Sequence, residues 1–226
     1  MDAPSLLSPS YLEQRSLLKA LRQAVPFVHG KTLDLGCGQR PYEGLMRASA
    51  TSIVGIDAEP HHVPPPDVCG DVQHLPFKDG SFNTVVTTQV IEHVFDPHAM
   101  MREISRVTTP GGHVIVTAPQ AWPLHEEPRD FFRYTSYGLM GLAERSGFDV
   151  VLLTSRGGSV VALTQLAASC LFDRFGTNPI LRPVLKVITI PFFLAGRLLD
   201  PLIAHEKLTL GYLLVGRKRG APVQTP

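Results

Sequence analysis

Cysteine is scarce in this chain, and the little there is carries no pattern. Cys37, Cys69 and Cys170 are odd in number and lack metal-ligand spacing. That argues against a disulfide framework or a zinc motif and for free thiols in a reducing cytoplasm. An excess of one charge is also missing, since 21 Lys and Arg face 20 Asp and Glu for a formal net charge of +1. Without a strong positive field, no nucleic-acid partner is expected. No clean apolar run reaches the roughly 20 residues that cross a bilayer. The opening residues mix prolines and charges and do not read as a signal peptide. The remaining composition, 44% hydrophobic and 18% charged over 226 residues, is that of one globular domain with a full core.

What is present is organised around residues 31–40, KTLDLGCGQR. An apolar run carrying Asp34 breaks into Gly36, Cys37 and Gly38, and a helical pattern begins near Pro41. This reads as strand, tight turn and helix start, the unit that lets a backbone approach a nucleotide-like ligand. The third glycine of a dinucleotide fingerprint is absent, which speaks against a nicotinamide-dependent reductase. Asp57 ends the next apolar run, residues 52–57, and Asp71 ends the one after. An acid about 20 residues past a glycine turn suits a ribose diol. The Asp71-Val72 pair suits an adenine amine.

Strand and helix patterns then alternate: strands at 32–35, 52–57, 68–71, 82–88 and 113–118, with helices at about 41–48 and 97–107. Such alternation predicts right-handed crossovers and a mainly parallel sheet covered on both faces. Thr109-Pro-Gly-Gly112 reads as the end of the second helix. An amphipathic helix over 10–26, capped by Ser10, precedes the first strand. The loop His61-His-Val-Pro-Pro-Pro66 reads as a stiff surface segment rather than a metal site.

Asp34-Leu-Gly-Cys-Gly38, Gly55-Ile-Asp57, Gly70-Asp-Val72, Leu75-Pro-Phe-Lys-Asp-Gly-Ser-Phe82 and Glu92-His-Val94 together resemble a class I S-adenosylmethionine-dependent methyltransferase. The likeness is to the small-molecule branch that includes the quinone-biosynthesis enzymes. It covers roughly residues 10–155 and the last strand, and departs at Asn83, where the family usually has Asp. The resemblance implies a Rossmann-like, doubly wound, seven-stranded α/β sheet with an antiparallel last strand, here 208–216. It implies S-adenosyl-L-methionine as cofactor, with Asp34, Gly36, Cys37 and Gly38 at its methionine end. Asp57 and Ala58 would lie at the ribose, Asp71 and Val72 at the adenine, with Gln89 beside them. In the family a leading helix covers the cofactor, which puts Tyr11 or Arg15 within reach of its carboxylate. Packing of that helix is the alternative.

Two regions carry the acceptor side. His93, at the end of the fourth strand, carries an imidazole that can accept a hydroxyl proton, or else shapes the pocket wall. Glu92 beside it is a second ligand atom, but no further ligand has the spacing to complete a metal site, so none is expected. Residues 120–135 hold the one Trp, a His, three acids, two Arg and three further aromatics. They resemble a segment of bacterial methyltransferases with glycan- or lipid-linked substrates. His125 is the leading base there and Asp130 its orienter or an alternative base. Trp122, Arg129, Arg133 and Tyr134 are candidates for substrate contact. Asp130 and Arg133 pairing to brace the loop is the competing reading. The resulting expectation is methyl transfer, to oxygen, on a small or lipid- or glycan-linked acceptor. A catalytically inactive cofactor-binding subunit and C-methylation of a quinone-type ring are the alternatives.

Residues 156–206 exceed a normal inter-strand turn and are strongly apolar, though Lys186, Arg197, Asp200, Pro191 and Pro201 interrupt them. A lid or apolar wall over the acceptor, a homodimer surface and peripheral contact with the inner face of the membrane all fit. The tail after Gly220 is expected to be disordered.

Overall fold

The computed structural model describes residues 4–205 and 207–220, so the expected disorder after Gly220 lies outside the described residues. Seven strands form one sheet: β1 (Gly30–Leu35), β2 (Ala50–Asp57), β3 (Val68–Cys69), β4 (Phe82–Thr88), β5 (Thr108–Pro119), β6 (Phe148–Ser155) and β7 (Gly211–Lys218). Their order is β3-β2-β1-β4-β5-β7-β6. The first five run parallel, and β7 lies antiparallel between β5 and β6. This is the expected doubly wound sheet. Its order reverses between β1 and β4, the switch point beside which open α/β sheets hold ligands.

Helices α1 (Tyr11–Ala24), α2 (Glu43–Met46), α3 (Pro97–Val107) and α4 (Ser136–Arg145) cover the two faces. Apolar residues of α3 and α4, such as Met100, Ile104 and Leu139, pack with Leu33, Leu35, Val85 and Val114 of the sheet. Those of α1, such as Leu17 and Leu21, pack with Val86, Ile115 and Leu213. Neighbouring residues of one strand therefore serve opposite cores, which explains the nearly continuous β-branched run of β4.

Three expectations change. The helix after the glycine turn is a single turn rather than 41–48, because β2 begins at Ala50 and Gly44 weakens the segment. Thr109 to Gly112 does not end a helix but belongs to β5. Glycine is required there because a Cβ on Gly112 would fall 2.6 Å from the Asn83 carbonyl oxygen. Asn83 meanwhile accepts the Lys31 backbone N–H at 2.9 Å, so the departure from the family's Asp keeps a strand-edge bond.

The third change concerns the insertion, a helical hairpin of α5 (Ser159–Phe175) and α6 (Leu181–Ile203). α6 runs through both prolines. Pro191 and Pro201 face outward, where water can take the carbonyls that a proline leaves unbonded. The hairpin also terminates its neighbours. Ser10 makes no side-chain cap to α1. Instead the buried Gln165 of α5 accepts the backbone N–H groups of Leu12 (3.0 Å) and Glu13 (3.3 Å) and donates to the Pro9 carbonyl (2.8 Å). Asp200 of α6 likewise accepts from Gly158 (2.8 Å) and Val161 (2.9 Å) at the start of α5.

Replacing Gln165 by Leu strands those donors in a buried place. Urea unfolding of Gln165→Leu is expected to show a loss of about 1–3 kcal/mol, the usual result of leaving buried polar groups unpaired. An unchanged midpoint would mean the α5 contact does not hold α1.

Candidate active site

The turn after β1 is set by two backbone bonds and one collision. The N–H groups of Gly36 and Cys37 both donate to the Ile56 carbonyl, at 2.9 and 3.1 Å. Gly36 has φ +70°, and a Cβ there would lie 2.3 Å from Val90 Cγ2. Only glycine fits. Gly38 then donates its N–H to Asp57 Oδ2 at 2.9 Å, joining the tips of β1 and β2. A Cβ at Gly38 would meet nothing within 4 Å, so the chain leaves open space on that side.

That space is a cavity of about 1060 Å³ running over the carboxyl ends of β1, β2 and β4. Of the expected cofactor residues, Gly36, Gly38, Asp57, Ala58, Asp71, Val72 and Gln89 line it. Asp57 Oδ1 also accepts from the Glu59 N–H (2.9 Å). Asp71 folds onto its own loop, accepting from the Gln73 N–H (2.9 Å) and facing His74 Nδ1 (2.9 Å). Asp34 and Cys37 lie below the turn and are buried. Burial pushes the Asp34 carboxyl up to about 7, and it pushes the Cys37 thiol up to about 12. Cys37 thus fills the space beneath the turn instead of facing the cavity.

Tyr11 is a correction. It stacks 5.6 Å from Phe193, and its hydroxyl accepts from Arg197 Nη1 at 2.8 Å, away from the cavity. Sequence reasoning missed Arg156, the largest fully buried side chain. Its guanidinium bonds Glu13 (2.9 Å) and Gln89 (3.0 Å), tying α1 to the residue that closes β4. Gly211 makes room for it, since a Cβ there would lie 2.5 Å from Arg156 Nη2. The one available signal was a lone Arg before Gly157-Gly158 at the edge of an apolar segment.

On the acceptor side the structure separates the candidates. His93 and Arg129 line the cavity. His93 Nδ1 meets the Arg129 carbonyl at 2.7 Å, and His93 packs edge-on against His125 with ring centroids 4.7 Å apart. Asp130 and Arg133 form a two-pronged ion pair at 2.6 and 2.7 Å. Arg133 also donates to the carbonyls of Trp122, Pro123 and Phe132. The guanidinium holds the Asp130 carboxyl well below the usual carboxylate range, so Asp130 cannot serve as a base. It remains an orienter, 3.1 Å from His125 Nδ1. Arg133 is fully engaged and holds the loop rather than a substrate anion. Trp122 packs against the apolar cluster that α1 shares with the α5–α6 hairpin, and the buried Tyr134 donates to the Ile91 carbonyl at 3.2 Å; neither lines the cavity.

The absence of a third metal ligand also needs correction. His125 arrives from a loop 32 positions beyond His93, and Glu92, His93 and His125 bring one ligand atom each to within 4.8 Å of one another. Glu92 is wholly buried, its carboxyl pushed up to about 8 by that burial, and neither carboxylate oxygen has a hydrogen-bond partner.

Comparison with known proteins points the same way as the turn and the cavity. Residues 33–116 match the family described as methyltransferase domain. A probable S-adenosylmethionine-dependent methyltransferase of Mycolicibacterium smegmatis is 30% identical over 161 residues, 65% of this chain and 63% of that protein. Residues 33–116 thus carry a methyltransferase domain, and the chain is similar to S-adenosylmethionine-dependent methyltransferases. A demethylmenaquinone methyltransferase of Mycolicibacterium paratuberculosis is 34% identical over 111 residues, 46% of this chain and 48% of that protein. The chain therefore spans about half to just under two thirds of the length of these relatives. A crystal structure of an S-adenosylmethionine-dependent methyltransferase from Mesorhizobium loti superposes with a TM-score of 0.58 at 18% identity, covering 92% of this chain and 100% of that one, and confirms the fold.

The cavity fits the family's cofactor, with open space at Gly38 for close approach and the carboxylates of Asp57 and Asp71 on its lining. Asp57→Ala is expected to weaken S-adenosylhomocysteine binding at least tenfold by calorimetry. A cationic amino group bound near Asp34 favours its carboxylate, and in the unliganded protein that group is protonated below about 7. Affinity should rise as pH increases from 6 to 8, with a proton released on binding, and Asn at position 34 should flatten the slope.

Proposed function

We propose that this chain methylates an acceptor hydroxyl on a small, lipid-linked or glycan-linked molecule. The observation that carries this reading is the convergence of Glu92, His93 and His125 beside the cofactor cavity, with His93 on its wall. S-adenosylmethionine supplies a methyl group already activated by its sulfonium: the carbon–sulfur bond breaks as the carbon–oxygen bond forms, leaving a neutral thioether. The protein's own work is then alignment and removal of the hydroxyl proton. His93 is suited to meet that hydroxyl. The Arg129 carbonyl takes the hydrogen on its Nδ1, which leaves the lone pair on Nε2. Asp130 fixes His125 in the same sense, and Arg133 keeps Asp130 ionised.

The experiment is S-adenosylhomocysteine release with a panel of hydroxylated acceptors. His93→Ala is expected to lower kcat by about 100-fold, the usual contribution of such proton transfer, while leaving cofactor affinity within a factor of two. Cofactor binding with silence across the panel would favour an inactive cofactor-binding subunit. Equal turnover by His93→Ala would favour an acceptor that is already nucleophilic, such as a quinone-ring carbon.

The α5–α6 hairpin bears on how a lipid-linked acceptor arrives. No described residue of 156–206 lines the cofactor cavity, so the lid reading loses its support. The outer side of α6 instead exposes Val187, Phe192, Leu198 and Leu202, each more than 60% accessible, with Arg182 and Lys186 on the same helix. No described helix is long and apolar enough to cross a membrane. An apolar face with basic neighbours suits peripheral contact with an anionic lipid surface. Co-flotation with anionic liposomes is expected, and loss of it in Phe192→Ser/Leu198→Ser. Concentration-dependent dimers without flotation would point to a second copy instead.

A further inference from the structure

We propose that Glu92, His93 and His125 bind one divalent transition-metal ion of the zinc type at the acceptor end of the cofactor cavity. They form the one group of three or more potential metal ligands of this compactness among the described residues. Their spacing of up to 4.8 Å is wider than a loaded site and within what small side-chain rotations close.

Two independent observations point to a cation there. The first is the carboxyl group of Glu92, fully buried with both oxygens unpartnered. A buried acid needs an acceptor for its proton or a positive charge for its anion, and a polar group left without either is strongly disfavoured. Arg133 and Arg156 act on it only through space, their donors being committed elsewhere or unpaired; its own backbone N–H lies near it without making a hydrogen bond, and the side chains that bring ligand atoms close to it are the two imidazoles. The second observation is the state of those rings. His93 Nδ1 lies 2.7 Å from the Arg129 carbonyl, and His125 Nδ1 lies 3.1 Å from Asp130 Oδ2 and 3.3 Å from the Pro123 carbonyl. All three partners only accept, so each ring carries its hydrogen on Nδ1 and keeps a lone pair on Nε2. A ring nitrogen donating to a carbonyl or carboxylate while the other ligates is the recurrent outer arrangement of histidine metal sites. The Arg133 pair keeps Asp130 charged for that task.

The donor set selects the ion. Two imidazole nitrogens and one carboxylate suit zinc and its neighbours, whereas magnesium and calcium take oxygen ligands. Three protein ligands leave a position open, as in catalytic rather than structural sites. What the ion does there rests on the methyl-transfer reading: an acceptor hydroxyl in the open position would lose its proton to bulk buffer more readily. His93 would then act as a ligand. Binding of the ion does not depend on that reading.

The test uses the full chain, stripped with a chelator and dialysed. Titration with Co²⁺ is expected to give one ion per chain and visible ligand-field bands, which Zn²⁺ abolishes by displacement. Proton spectra of the cobalt form should show two hyperfine-shifted ring N–H signals, one per histidine. Glu92→Gln and His125→Ala should weaken Co²⁺ and Zn²⁺ binding by at least about 100-fold. His98→Ala, a change at an exposed histidine of α3, should not. Calorimetry with S-adenosylhomocysteine confirms that each variant is folded. Sub-stoichiometric uptake, absence of shifted N–H signals, or equal affinity in Glu92→Gln and His125→Ala would overturn the proposal. Stoichiometric metal with no acceptor methylated would overturn the methyl-transfer reading alone. Undiminished methylation by the metal-free chain would overturn the ion's role in the reaction alone.

Discussion

The collision that a side chain at position 36 would make with Val90 constrains the whole functional end of this molecule. Gly36 sits at φ +70° with the Val90 side chain where its own would be. The tip of β1 and the tip of β4 are therefore in contact with nothing between them. From there the Gly36 and Cys37 N–H groups reach the β2 carbonyl of Ile56, and Gly38 reaches the Asp57 carboxylate. Three strand ends are thus locked together by backbone bonds and one absent Cβ. The cavity beyond them opens beside Gly38, where the turn carries no side chain.

A second set of bonds ties this end to the added elements. Gln89 leaves β4 with φ +54°, a conformation other residues than glycine seldom adopt. Its amide donates to Thr117 (3.1 Å) and its carbonyl accepts from Arg156. Arg156 continues to Glu13 on α1, so the leading helix, the cofactor cavity and the start of the hairpin share one buried polar chain. A charge as deeply placed as Arg156 is made tolerable by Glu13, which pairs it, and by Gln89, the two taking its Nη groups while Nε stays without a partner. The Gln165 and Asp200 caps repeat the pattern, in which the hairpin supplies polar ends that local sequence does not. The insertion is consequently part of the fold's framework on one side, while its apolar outer side stays uncovered.

The acceptor loop shows how one ion pair can organise several functional groups. Asp130 and Arg133 hold residues 120–135 in place, Asp130 orients His125, and the Arg129 carbonyl orients His93. Phe131 and Phe132 add backbone bonds to the Glu92 carbonyl at 2.9 and 3.3 Å. The loop thus reads the position of Glu92 and places two imidazoles beside it. An exposed ion pair would contribute little, but the carboxylate of Asp130 is 1% accessible, and its two-pronged geometry gives direction as well as attraction.

Strand alternation, the glycine turn and the acids at 57 and 71 were legible in the residues, because each rests on local periodicity or on spacing along one short segment. Asp34, Gly36, Gly38, Asp57 and Asp71 all belong to successive strand tips, and a parallel sheet brings such tips together by construction. The roles of Tyr11, Trp122, Arg133 and Tyr134 were not legible, since an aromatic or an arginine looks alike whether it packs, braces or binds. The partners of Arg156, Gln165 and Asp200 stand 143, 153 and 42 positions away, beyond any local pattern. The same is true of Glu92, His93 and His125, whose meeting depends on where a 16-residue loop folds back over the end of β4. Sequence determined which strand ends would face a nucleotide-like ligand; tertiary structure decided which side chains stayed available to it, because availability is set by partners that only packing brings within reach.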